Sequence, residues 1–118
     1  SVGLADLVDE PFVMLDLSTS REYYTSLFLA AGVPMRPAMV VNDLSLVRSL
    51  VGNGFGWSVG NHVPALDVAQ DGSRVAYVPL ATDVPPLGLG LARRVGDRGP
   101  AALDAFLGFA RSSISFPR

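Results

Sequence analysis

The sequence predicts an α/β fold: a mostly parallel sheet flanked by helices. Three observations carry that prediction. Short apolar runs alternate with stretches of helical periodicity over roughly the first sixty residues. The joints between them are short and marked by hydroxyl, Asn/Asp, Gly or Pro residues. Strands joined through single helices by short connections make right-handed crossovers, and so a parallel sheet.

The elements follow in order. Asp6, Asp9 and Glu10 read as a solvated helix face. Pro11-Phe12-Val13-Met14-Leu15-Asp16-Leu17 suits a buried strand. Ser18-Thr19-Ser20 supplies hydroxyls that cap helix starts, and Tyr23, Tyr24, Leu27, Phe28 and Ala31 then share one helical face. Gly32 ends that helix and Pro34 prevents its return. Met35 to Val41 reads as a second strand, and Asn42-Asp43 caps a helix striped by Leu44, Val47, Leu50 and Val51. Gly52-Asn53-Gly54 closes it, and Phe55 to Gly60 reads as a third strand.

After Asn61 the pattern changes. Pro64 and the turn Gln70-Asp71-Gly72-Ser73 separate a loop from a strand at Arg74–Pro79. A Pro85-Pro86 break precedes a strand at Leu87–Ala92, where Gly88 and Gly90 are expected to admit a close-lying backbone. A polar turn at Gly96–Gly99 leads to Pro100, which suits the first turn of a helix. From Ala101 to Ala110 that helix is apolar on nearly every side, with Asp104 its lone charge. Such a helix requires cover on nearly every side, from another subdomain or another copy.

Composition excludes several function classes. The 118 residues are 49% hydrophobic and 17% charged, enough for a packed core in one domain or a piece of one. A net charge of -2 gives no bulk field to attract nucleic acid or anionic lipid. With no cysteine and the single histidine His62, disulfides, thiolate chemistry and multi-imidazole metal sites are out of reach, so no metal and no cofactor is expected. No apolar run reaches bilayer length, and the first residues lack the pattern of a targeting signal, so a soluble, cytoplasmic location is expected. All nine basic residues are arginine, spread along the chain as codon bias would spread them.

Two motifs resemble catalytic signatures and fail on context. Gly56-Trp57-Ser58-Val59-Gly60 matches the G-x-S-x-G pattern of a nucleophile elbow. That chemistry needs the serine on a strand-to-helix turn beside a histidine base, whereas Ser58 falls in a strand-like run with only His62 nearby. The glycine cluster at Gly52 to Gly56 closes a helix and opens a strand, the reverse of a dinucleotide-binding loop. No catalytic residues are assigned, and the chain is not expected to be an enzyme. What remains is geometric. Three expected strands are followed by short polar segments: Ser18, Thr19 and Ser20; Asn42 with Asp43; and Asn61 with His62. Ligands of open α/β sheets bind beyond the carboxyl ends of the strands, and helix starts there favour anionic groups. Ser18, Thr19, Ser20, Asn42, Asn61 and His62 are therefore the candidate ligand-binding residues.

The order of these pieces resembles LysR-type transcriptional regulators. Gly3-Leu4-Ala5-Asp6-Leu7-Val8-Asp9-Glu10-Pro11-Phe12-Val13 is similar to the "LADLADEPFI" stretch that opens that family's second regulatory subdomain. Ser45 to Val59 is similar to its "VRALVAAGLGVALLP" segment. The resemblance implies a type II periplasmic-binding-protein-like fold, with two Rossmann-like α/β subdomains around an effector cleft. It places about residues 7–85 in the second subdomain and about 86–118 in the returning strand and last helix of the first. It also implies a small metabolite effector such as an organic acid, and a homodimer or higher homo-oligomer. DNA would be bound only through a winged helix-turn-helix that this chain lacks, and no membrane is implied. The alternative is a solute-binding domain of a transport or sensory protein with the same fold, and a small hydrolase stands third. One departure bears on specificity: Gly60-Asn61-His62 stands where the family usually has proline, which suggests a different effector preference.

Overall fold

The computed structural model describes residues 1–81, 90–96 and 99–114. They fall into two units, Ser1–Pro86 and Leu87–Arg118. The first unit is built on two parallel strands, β1 (Phe12–Leu15) and β2 (Pro37–Val41), connected through helix α1 (Arg21–Ala30). Helix α2 (Leu44–Gly52) follows β2 directly. All four residues of β1 are buried, as expected of a strand covered on both faces. β2 alternates between half-buried and exposed, the pattern of an edge strand.

The core joins β1 to the inward stripes of both helices. Leu4, Phe12 to Leu15, Tyr24, Leu27, Phe28 and Val47 form one buried cluster. The stripe read at Tyr24, Leu27 and Phe28 is thus the buried face of α1, and Val47 is the buried residue of α2. Phe12, Phe28 and Trp57 pack as an aromatic trio with ring centroids 4.7 to 6.1 Å apart.

Several expectations are corrected. The third strand shrinks to one parallel bridge, Phe12 to Trp57, with Trp57 N donating to the Pro11 carbonyl and Val13 N to the Trp57 carbonyl. The glycines around it are the reason. Gly56 has φ 147°, and a Cβ there would lie 2.1 Å from the Pro11 oxygen, so the chain bends under β1 rather than running along it. The strand at Arg74–Pro79 is also absent as a ladder. Its start bridges Val68 in antiparallel fashion, whereas Leu80, just past its end, bridges Val2, so two different partners split it. Asp6 is more than a solvated charge. It accepts from the Gly3 backbone N–H at 3.0 Å and closes a 3-10 turn over Leu4–Leu7. Asp9 and Glu10 are exposed.

In the second unit, α3 spans Ala101–Ser113, with Pro100 just outside it as the N-cap. Asp104 is not alone, because Arg93 Nη1 donates to it at 3.4 Å. Of the predicted strand at Leu87–Ala92, residues 87–89 lie outside the described residues, and 90–92 carry no strand. Among the described residues, nothing lies within 4 Å of where a Cβ at Gly90 would stand, and Gly88 lies outside the described residues. Ala110 is the buried residue of α3, while Phe106 and Phe109 are 54% and 68% exposed.

Candidate functional site

The parallel register decides which polar segments share an edge. Leu15 pairs with Val41, and Asp16 N donates to the Val41 carbonyl at 2.7 Å, so β1 and β2 end together. Ser18, Thr19 and Ser20 continue from the end of β1, and Asn42 from the end of β2. Trp57 lies parallel to Phe12, and the chain beyond it reaches Asn61 and His62 through residues without helix or ladder. Ser18, Thr19, Asn42, Asn61 and His62 are exposed, and Ser20 is half-buried.

The two helix starts at this edge differ. At α2 the cap is made by Asp43, whose Oδ1 accepts from Leu46 N at 3.0 Å, which leaves Asn42 outside the helix. At α1 the residue at the cap position is Ser20, but its hydroxyl does not cap the helix. It turns back on Leu17, accepting from the Leu17 N–H at 3.2 Å and donating to the Leu17 carbonyl at 3.0 Å. The Ser20 hydroxyl expected to cap α1 therefore does not.

A charged pair that spacing did not reveal lies beside them. Arg21 Nε donates to Asp16 Oδ1 at 2.9 Å, and Arg21 Nη2 to Asp16 Oδ2. This two-pronged contact crosses from the end of β1 to the first residue of α1. The Arg21 hydrogen bonds hold the Asp16 carboxyl below the ordinary carboxylate range. Their signal in the sequence is an Asp at a strand end followed five residues later by an Arg at a helix start, which is too common to single out.

A second missed arginine fixes the later loop. Arg48 Nη2 donates to the carbonyls of Leu66 and Val68 at 2.8 and 2.9 Å, tying α2 to the segment that follows Asn61 and His62. Ser58 is half-buried in non-helical chain, so it lacks the strand-to-helix turn of a nucleophile elbow. A small cavity of about 20 Å³ lies among Leu4, Leu7, Phe12, Phe28, Pro34 and Trp57, around the amino ends of the strands. It has room for about one water and does not compete with the carboxyl edge as a metabolite site. Among the described residues, no group of His, Asp and Glu is arranged to hold a metal ion.

Comparison with known proteins places this arrangement. The model of the LysR substrate binding domain matches residues 1–115. The chain belongs to the LysR substrate-binding domain family. Among solved structures, it is similar to HinK, a LysR family transcriptional regulator from Pseudomonas aeruginosa, at 32% identity and a TM-score of 0.89. That match covers 98% of this chain and 41% of HinK's. It is also similar to the C-terminal domain of a probable LysR family transcriptional regulator from Rhodococcus sp. RHA1, at 32% identity and a TM-score of 0.65. There the match covers 71% of this chain and 40% of the other. This LysR-type chain thus spans about two-fifths of the length of these relatives. A search of curated proteins finds no match. The periplasmic-binding-protein-like α/β fold is the fold of this family, and the parallel β1–α1–β2 unit is its expression here.

Proposed function

We propose that this chain is the effector-sensing part of a LysR-type transcription regulator, and that it binds a small anionic metabolite at the carboxyl edge of the sheet. The observation that carries the reading is the common end of β1 and β2, with the Ser18–Ser20 segment beyond one strand and Asn42 beyond the other. The chemistry fits an anion on two counts. The Ser20 hydroxyl turns to Leu17 and not to the first turn of α1, and the helix dipole presents its positive end at this edge. Arg21, 61% exposed at its side chain and forked onto Asp16, would extend its remaining N–H groups to a ligand carboxylate. A ligand carboxylate there would meet the Ser18 and Thr19 hydroxyls, while Asn61 and His62 would supply a second polar edge. In the whole protein, DNA would be contacted by a winged helix-turn-helix outside this chain, and the working unit would be a homo-oligomer.

The test is a thermal-shift screen of the intact regulator against small carboxylates (succinate, benzoate, glutarate) and their neutral amides. At a hundredfold excess over Kd, a bound acid adds about 2.7 kcal/mol to stability. Stabilisation by at least one acid and not by its amide is expected. Stabilisation by amides alone would remove the anionic assignment.

A further inference from the structure

Asn53-Gly54 is the one Asn-Gly pair in the sequence; Asn42 precedes Asp43, and Asn61 precedes His62. The pair is exposed at the C-terminus of α2. The Asn53 side-chain amide donates to the Ser49 carbonyl at 2.8 Å and to Asp71 Oδ2 at 2.7 Å. Asp71 also accepts from the Ser73 N–H and hydroxyl through Oδ1. Asn53 therefore staples the end of α2 to the turn around Asp71, and the staple works only while Asn53 keeps its two donors.

We propose that Asn53 is a site of spontaneous deamidation whose rate is gated by Asp71. In the reaction the Gly54 backbone nitrogen attacks Asn53 Cγ. A C–N bond forms, the Cγ–Nδ2 bond breaks, and ammonia leaves carrying the proton lost from the Gly54 nitrogen. Water then opens the cyclic imide at either carbonyl, giving aspartate or isoaspartate. Glycine places no Cβ in the path of attack, and a Cβ built at Gly54 meets nothing within 4 Å. Two features of the fold hold the reaction back. The Gly54 N–H donates to the Val51 carbonyl at 3.0 Å, and the leaving amide is held by Ser49 and Asp71. Reaction therefore requires local opening of this corner. Once formed, the new carboxylate faces Asp71 where a donor stood, so the staple does not close again.

The experiment is ageing of the protein in mildly alkaline buffer, followed by peptide mapping for the mass gain of amide-to-acid conversion. Conversion at Asn53 is expected ahead of Asn42 and Asn61, and slower than in a synthetic peptide spanning residues 49–58. Asp71→Ala should raise the rate by about two- to tenfold, the effect of one lost hydrogen bond on the opening equilibrium. Asp67→Ala, which breaks the exposed ion pair with Arg74 in the same loop, should leave it unchanged. Equal rates in the folded protein and the peptide would overturn the gating, and that comparison holds even if Asp71→Ala fails to fold. Equal effects of Asp71→Ala and Asp67→Ala, or Asn53 lagging behind the other two asparagines, would also overturn the proposal.

Discussion

Asp16, Asp67 and Asp71 each carry a carboxyl held below its ordinary value by hydrogen bonds, chiefly from Arg21, Arg74 and Ser73 respectively. A carboxyl with a depressed folded value lends stability in full above its unfolded value and loses it as the pH falls through the folded value. Thermal unfolding should therefore be insensitive to these groups near neutrality and should weaken below the ordinary aspartate value of 3.8. The triple variant with Asn at 16, 67 and 71 should show a shallower acid limb, and an acid limb identical to that of the parent would contradict this. The polar contacts around the candidate site differ in how far the sequence shows them. Asp43 as a cap is legible because its partner, Leu46, is three residues away. Arg48 is not, because its carbonyl partners lie 18 and 20 residues on and depend on how the loop folds back. The candidate residues Ser18 to Ser20 read as a helix start, yet the turn of the Ser20 hydroxyl toward Leu17 has no sequence signal.

Among the elements, both helices of the first unit and both paired strands were legible, because periodicity is a local property, and at α2 the Asp43 cap is local too. The third strand was not. Its apolar alternation is real, but Gly56 bends the chain beneath the Pro11 carbonyl, and only Trp57 pairs. That close approach makes Gly56 the most sensitive glycine of the unit. Gly56→Ala would force a side chain into a φ of 147° and into backbone 2.1 Å away. It should cost more than about 2 kcal/mol, in the class of strained and overpacked substitutions. Gly54→Ala, with φ 79° but open space around it, should cost less. Urea midpoints of the two variants check the order, and Gly54→Ala as the more damaging would contradict it.

At the scale of the whole molecule, α3 carries two exposed rings. Phe106 and Phe109 lie three residues apart on one helical face, and at 54% and 68% exposure each forgoes roughly half or more of the ~1.5–3 kcal/mol that full burial contributes. The isolated 118-residue chain should therefore self-associate at micromolar concentration, and Phe106→Asp with Phe109→Asp should shift it toward monomer in light scattering. A clean monomer of the parent chain would contradict this. The central claim, that the carboxyl edge of the sheet receives an anionic effector, has a more direct test. It is calorimetric titration of the intact regulator with the carboxylate that stabilises it best, repeated with Ser18→Ala and Thr19→Ala and paired with thermal unfolding of each variant. A hydroxyl bonded to a charged ligand group contributes about 1.5–3 kcal/mol, so Thr19→Ala should weaken binding by roughly ten- to a hundredfold with the fold intact. Unchanged affinity in both variants, each folded as the parent, would contradict the account and move the effector away from this edge.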